Sequence, residues 1–284
     1  MPVDRDESDW DDLQVVFATS AGTVRRNKLS DFTNVKSNGK IAMKFEGEHA
    51  DTTLINARIA SNDDDVMLVT QSGRAIRFPA TDVRVFNSRS SVGVRGIRLS
   101  KDDTVVSMSI IRHFEASPDE RAAYLKMRRA MAGLADDADV SDEEGGDANA
   151  SLSQARYAEM SAAENLILTI TSGGAGKLSS SHDYPLRGRG GMGVMAMDKA
   201  MRGGPLVASF PVELDDQIML ATSRGQSIRV PVQGISFRSR NAGGVKVFDT
   251  RKGEKVVSVA WIAEQADEDD IDAANVSGPE DKED

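Results

Sequence analysis

The stretch DVMLVTQSGRAIRFP, residues 65–79, returns as QIMLATSRGQSIRVP, residues 217–231. Met67, Leu68, Thr70, Gly73, Ile76, Arg77 and Pro79 meet Met219, Leu220, Thr222, Gly225, Ile228, Arg229 and Pro231 at a constant offset of 152 positions. An internal repeat constrains a fold more than any single motif, because each copy is one supersecondary unit that buries its apolar surface only against its neighbours. Two further copies fit the frame, VVFATSAGTVRR at 15–26 and LTITSGGAGKL at 168–178, with turn glycines Gly22, Gly73, Gly174 and Gly225 separated by 51, 101 and 51 positions. The long gap is one period plus an insertion of roughly 50 residues. The chain therefore reads as four units and one interruption.

Each unit has the same interior. An apolar run of about five residues, a short polar turn with glycine and a second run ending in a basic residue predict a β-hairpin. Asp31, Asp82 and Asp183 follow, with Gly234 in that place in the last unit, and then a looser loop with another glycine: Gly39, Gly93, Gly193 and Gly244. A third run comes next (IAMKF, VRGIRL, VMAMD, VKVFD), and a fourth that is plainly strand-like in VVSMSII, LVASFPV and VVSVAWIA. Four short strands per unit of about 50 residues predict an all-β fold of propeller-like blades rather than strand–helix alternation. The blades are placed at 13–62, 63–112, 164–213 and 214–265.

The insertion, residues 113–163, differs in kind. SPDERAAYLKMRRAMAG offers Ser117 as N-cap, Pro118 at the first helical position, Glu120 to complete a capping box and Gly133 as a stop, which predicts a helix of about four turns. Residues 135–151, ADDADVSDEEGGDANAS, have no periodicity and read as a disordered acidic linker, and a second short helix is expected from Ser153 toward Ala163.

Net charge is −10, but it is divided along the chain: −5 over residues 1–12, +5 over 13–112, −6 over 113–163, +5 over 164–262 and −9 over 263–284. The acidic leader and the tail from 266 read as solvated segments, leaving two basic blocks as the folded part. The tail has two readings, a solubilising segment or a DNA mimic that covers basic surface. With no cysteine, the chain has no disulfide, no thiol nucleophile and no cysteine metal site. His49, His113 and His182 lack ligand spacing and read as ordinary polar residues. No apolar stretch approaches the roughly 20 residues that cross a bilayer, so no membrane is expected as a partner.

Three local matches invite catalytic or cofactor readings, and each fails in context. Gly188, Gly190 and Gly193 in RGRGGMGV satisfy G-x-G-x-x-G, but the sister loops FNSRSSVGV and FRSRNAGGV lack the spacing, and a β-like run follows where a dinucleotide fold needs a helix. In SGGAGKLSS a Gly-Lys pair stands without the magnesium-binding hydroxyl of a P-loop, because Leu178 occupies that place. Paired carboxylates at Asp215 and Asp216 match Asp64 and Asp65 in the repeat, which favours a turn or strand-start role over acid–base catalysis. No catalytic set and no metal site is expected.

What recurs is positive charge beside glycine turns: Arg25, Arg26 and Lys28; Arg77, Arg84 and Arg89; Lys177, Arg187 and Arg189; Arg229, Arg238 and Arg240. In a radial fold, repeat-equivalent positions lie on one rim. A rim of cations neutralises phosphates along a curved path, touching the DNA backbone without reading bases. The same charges also suit a protein-interaction propeller, and the residues alone leave both readings open.

The strings VVFATSAGTVRRNKLSDF, VMLVTQSGRAIRFPATDVR continuing to SVGVRGIRL, GRGGMGV, and DDQIMLATSRGQSIRVPV to KVVSVAWIAE resemble, over residues 13–265, the C-terminal domain of the DNA gyrase A subunit. The resemblance implies a β-pinwheel, a propeller relative whose blades exchange a strand. It also implies a DNA-wrapping role that supports ATP-dependent negative supercoiling in the bacterial cytoplasm, at the nucleoid. The implied partners are double-stranded DNA, the rest of the A subunit, and the gyrase B subunit. ATP and magnesium would act elsewhere in that assembly, so no cofactor is implied here. The family's Q-R-R-G-G-[KR]-G box is represented only by the degenerate RGRGGMG. Four repeats stand where the family has six, and neither the catalytic tyrosine nor the breakage–reunion domain is present, so the chain resembles a C-terminal portion of such a protein. The smaller C-terminal domain of the topoisomerase IV A subunit is a related alternative, with the acidic insertion and tail leaning toward gyrase.

Overall fold

The computed structural model describes residues 10–33, 35, 37–133, 146–198 and 203–262. The expectations for the leader before residue 10, for most of the acidic linker (134–145) and for the tail from 263 lie outside the described residues.

Every unit begins with an antiparallel hairpin: β1 (Gln14–Thr19) with β2 (Thr23–Lys28), β4 (Asp64–Thr70) with β5 (Arg74–Pro79), β8 (Leu166–Thr171) with β9 (Ala175–Ser180), and β12 (Gln217–Thr222) with β13 (Ser227–Pro231). The turns share one chemistry. Gly22, Gly73, Gly174 and Gly225 take φ between +78° and +88°, and each donates its N–H to the carbonyl of the threonine three residues before it at 3.0 Å. The hydroxyls of those threonines accept from the backbone N–H of Thr23, Arg74, Ala175 and Gln226 at 3.2–3.3 Å. Thr-x-x-Gly is thus the sequence form of a three-residue hairpin loop whose last residue is left-handed.

A long strand then returns to pair with the first strand of its own hairpin: β3 (Leu54–Ala60) on β1, β7 (Val105–Arg112) on β4, β11 (Leu206–Val212) on β8 and β15 (Val256–Ile262) on β12. The third run performs the strand exchange that the family resemblance implies and that its own residues do not disclose. It is reduced to two residues, and it pairs with the hairpin of the preceding unit: β6 (Val94–Arg95) on β2, β10 (Val194–Met195) on β5 and β14 (Val245–Lys246) on β9. The four-stranded blade is therefore composite, and the fourth sheet, β13-β12-β15, has three described strands. The strand expected at IAMKF, residues 41–45, does not form, because no preceding hairpin stands among the described residues to pair with it.

The core lies between blades. Val66 and Leu68 of β4 face blade 1, packing with Val16, Val24 and Ile97, while Met67 and Val69 face blade 3, packing with Ile167, Tyr184 and Met197. Leu168, Ile170, Ile218 and Leu220 fill the space between blades 3 and 4. Sheets buried on both faces explain why the first strand of each unit is a continuous apolar run and not an alternation. Strands β3, β7, β11 and β15 line a central cavity of about 550 Å³ bordered by Asn56, Ser107, Ser109, Phe210 and Trp261.

The insertion carries α1 (Pro118–Met131) and α2 (Gln154–Ala162). Ser117 caps α1 in a complete capping box with Glu120. The pair is docked and not loosely hung: buried His182 of blade 3 donates from Nε2 to the Met160 carbonyl at 2.8 Å and meets Tyr124 edge-on, while Arg129 reaches Ser239 Oγ of blade 4 at 3.0 Å.

Candidate nucleic-acid interface

Five of the twelve cations proposed from sequence are inside the protein, a correction that for four of them has one physical cause, the fifth, Arg240, being buried in the loop before β14. The third and fourth residues after each turn glycine fall on the strand that meets the next blade, so a cation there faces carbonyls. Arg25, fully buried, donates from Nη1 to the Arg89 and Ser91 carbonyls at 2.7 and 2.5 Å and from Nη2 to the Ala42 carbonyl. Burial, with the neighbouring Arg89 charge second, pushes its pKa down to about 10. Lys177 stands at the same repeat position and does the same to the loop of blade 4, donating from Nζ to Ser239 and Ala242 carbonyls at 2.8 and 2.7 Å and to that of Arg240.

Arg77 is buried against Asp65, with Nη2 at 2.7 Å from Oδ2, and donates to the Ser181 carbonyl of blade 3 at 2.9 Å. Desolvation lowers its pKa, opposed by Asp65. Arg26 donates to Asn62 Oδ1 at 2.8 Å, and Arg240 donates to the carbonyls of Asp183, at 2.8 Å, and Met195. Arg25, Arg26, Arg77, Lys177 and Arg240 hold blades together and offer no charge to a phosphate.

The remaining seven are at the surface. Lys28, Arg84, Arg187, Arg189 and Arg229 are exposed, and Arg89 and Arg238 are half-buried. Two of them occupy one repeated station and a third lies beside it. Where each blade meets its predecessor, a parallel bridge joins Arg26 to Val85, Arg77 to Leu186 and Leu178 to Phe237. The next residue then donates its N–H across the junction: Phe86 to the Arg26 carbonyl, Arg187 to that of Arg77, Arg238 to that of Leu178, at 2.7–2.8 Å. Blades 3 and 4 therefore present arginine at the same structural position. In blade 2 the position is Phe86, and Arg84 lays its guanidinium over that ring at 4.2 Å, restoring a cation at the same place.

The loop RGRGGMGV is now placed. Arg189 donates from Nη1 to the Arg95 carbonyl at 2.6 Å while remaining exposed, and Gly193, at φ +67°, sits so close to blade 2 that a Cβ would lie 2.2 Å from the Ala75 carbonyl oxygen. The glycine is there for an inter-blade contact, and the loop leads into β10 and not into a helix. Sequence reasoning passed over Arg95, Arg98 and Lys246, all exposed on or beside the borrowed strands. Aligning the residues after Gly93 and Gly244 would have found Arg95 and Lys246. Asp216 and Asp64 take turn roles, accepting from the backbone N–H of Glu213 and Ser61 at 2.7 Å. Among the described residues no group of three or more histidine, aspartate or glutamate side chains could hold a metal ion, and no helix is long and apolar enough to cross a membrane.

A family model described as the DNA gyrase C-terminal domain, beta-propeller, matches residues 14–52, 64–112, 165–208 and 216–260, one segment per blade with the insertion skipped. The DNA gyrase A protein of Granulibacter bethesdensis is 43% identical over 95% of this chain, and that of Rickettsia bellii 39% identical over 96%. The chain spans 30% of the length of each. Among solved structures, a DNA gyrase A C-terminal domain matches with a TM-score of 0.61 at 21% identity, covering 89% of this chain and 67% of that one. The C-terminal domain of a DNA topoisomerase IV matches with a TM-score of 0.64 at 19% identity, covering 92% and 68%. At those identities the structures speak for the fold.

Proposed function

The chain belongs to the DNA gyrase C-terminal domain family, and from that premise we propose that it binds and bends double-stranded DNA along its blade rim without reading base sequence. The observation that carries this reading is the station held by Arg187 and Arg238 and flanked by Arg84, one guanidinium at each of the three described blade junctions. Cations repeated at blade spacing meet successive phosphates only if the duplex follows the rim, so neutralisation and curvature are gained together. Lys28, Arg89, Arg189 and Arg229 widen the same basic surface.

No side chain in this set is placed for covalent chemistry. The module would serve an ATP-dependent type II topoisomerase by holding a curved segment in place. The remainder of the A subunit, together with the B subunit, would supply ATP and strand-passage chemistry in the bacterial cytoplasm. Relatives that are gyrase A proteins along nearly the whole chain favour gyrase over topoisomerase IV as its setting.

Anisotropy titrations with duplexes of unrelated sequence test the reading. Affinity should be similar across sequences and fall with added salt, and Arg187→Ala or Arg238→Ala should each reduce the salt slope by about one. Binding that ignores salt, or variants at both arginines that bind like the parent, would overturn it.

A further inference from the structure

The insertion enters the chain between blades 2 and 3, yet its contacts reach blade 4. It also stands outside the repeated frame, since the segments matched by the family model stop at 112 and resume at 165. Its base is one turn of 3-10 helix, Ser181–Asp183, where three consecutive residues meet three different bodies. The Ser181 carbonyl accepts from Arg77 of blade 2 at 2.9 Å. The His182 ring donates to the Met160 carbonyl of α2 and stands against Tyr124 of α1. Asp183 accepts from the backbone N–H of Arg240 in blade 4 at 2.6 Å. Arg156 of α2 donates to Glu120 of α1 at 2.8 Å, which joins the two helices to each other.

From that base α1 runs to the loop that carries Arg238, and its last turn grips the residue on either side of that cation. Arg128 lays its guanidinium over the Phe237 ring at 4.8 Å while its Nε donates to Glu164 at 3.2 Å. Arg129 donates from Nη1 to Ser239 Oγ at 3.0 Å, and both residues are buried, so the Arg129 charge serves the loop and not a phosphate. Phe237 is the residue bridged to Leu178 at the blade 3–blade 4 junction, and Arg238 donates its own N–H to the Leu178 carbonyl at 2.8 Å. The corresponding loop of blade 3 is held differently. Gly188 stands after Arg187 where Ser239 stands after Arg238, and Arg189 ties that loop to the Asp82 and Arg95 carbonyls at 3.2 and 2.6 Å.

We infer that the helical insertion is a strut that positions Arg238 on the rim, with Arg128 and Arg129 as its positioning residues; the inference rests on the DNA-binding reading of that rim. A cation on a loose loop makes the duplex bear the cost of ordering that loop, whereas one on a loop already held contributes its full charge contact. The strut supplies the order at blade 4. Through Ser181–Asp183 it refers the position of Arg238 to blades 2 and 3, so consecutive cations of the rim keep a fixed spacing.

Hydrogen exchange without DNA and salt-dependent binding with it test the strut separately. In Arg129→Ala the Arg238 N–H should exchange about tenfold faster while the Arg187 N–H keeps its parent rate. On duplex DNA, Arg129→Ala should lower the salt slope by up to about one, as Arg238→Ala does, and the double variant should bind like Arg238→Ala alone. A residue that acts only on overall stability would weaken binding in both backgrounds. Ser239→Ala removes the same bond from the loop side with a smaller change to the core, and it should reproduce both effects. Unchanged exchange at Arg238 in the two single variants, or losses from Arg129→Ala and Arg238→Ala that add, would overturn the inference. An Arg238→Ala chain that binds like the parent, while Arg129→Ala still quickens exchange at Arg238, would count against the rim reading at blade 4 and leave the strut standing.

Discussion

Lys177 and Arg25 hold the loops that carry the half-buried Arg238 and Arg89. Each gathers three carbonyls, the first those of Ser239, Arg240 and Ala242 in the loop of blade 4, the second those of Arg89 and Ser91 in the loop of blade 2 together with that of Ala42 in its own blade. Lys177→Met should cost about 3 kcal/mol in urea unfolding, because it strands buried carbonyls, whereas Lys177→Arg should recover most of that, as arginine already does the task at the equivalent place. At the next position Arg77→Met would leave the fully buried Asp65 carboxylate without its guanidinium, a loss of about 3–5 kcal/mol by the same measurement. Burial lowers the pKa of His182 below its ordinary value, so the fold holds the neutral ring between Tyr124, Phe114 and the Met160 carbonyl. Its stabilisation is complete above about pH 6.5 and is lost as pH falls toward the depressed pKa. The melting temperature should therefore drop on acidification, and His182→Phe should make that dependence shallower. In the sequence, a strand cation that grips carbonyls is indistinguishable from one that meets water, since the deciding loop lies 62 to 66 positions further along the chain.

At the scale of elements, local chemistry decides the hairpins and a distant neighbour decides the borrowed strands. Thr-x-x-Gly closes its own turn with bonds that span three and four residues, so all four hairpins were legible from the repeat. Ser117, Pro118 and Glu120 specify the start of α1 in the same local way. Strand β6 owes its existence to Thr23 and Val24, some 70 positions earlier, and a run of two residues carries no periodicity by which to recognise it. The glycine before each borrowed strand turns this difference into a measurement. Gly93→Ala puts a Cβ 2.0 Å from the Val24 carbonyl oxygen at φ +93°, and the junction between blades 1 and 2 should lose several kcal/mol. Gly39→Ala meets open space and should cost only the left-handed penalty of about 1 kcal/mol. Urea midpoints of the two variants, each against the parent, give the comparison directly.

At the scale of the molecule, charge that sums to −10 is no obstacle to binding a polyanion, because the blades carry the positive blocks and the leader, insertion and tail the negative ones. Duplexes labelled at both ends should show higher energy transfer when bound, and the increase should shrink when Arg84, Arg187 and Arg238 are replaced together by alanine, since removing one station per blade releases the duplex from the rim. The docked insertion ties this surface together: α1 and α2 grip blade 3 through His182, and Arg129 grips blade 4 through Ser239, next to the loop that presents Arg238. A change that loosens Arg129 should therefore disturb blades 3 and 4 before blades 1 and 2.

The repeat by itself determined that the chain is all-β, that it has four hairpin-based units interrupted once by helix, and that its charge recurs with the units, because hairpins, caps and composition are written in contiguous residues. Tertiary structure alone decided which strand completes which blade and which cations face water. Those outcomes depend on pairing across a junction between residues about 60 to 70 positions apart, where identical local sequence finds carbonyls in one blade and solvent in another. Met67 is sealed against blade 3 and Met219 is exposed for this reason: the residues around them are alike, and only the presence of a following blade among the described residues differs.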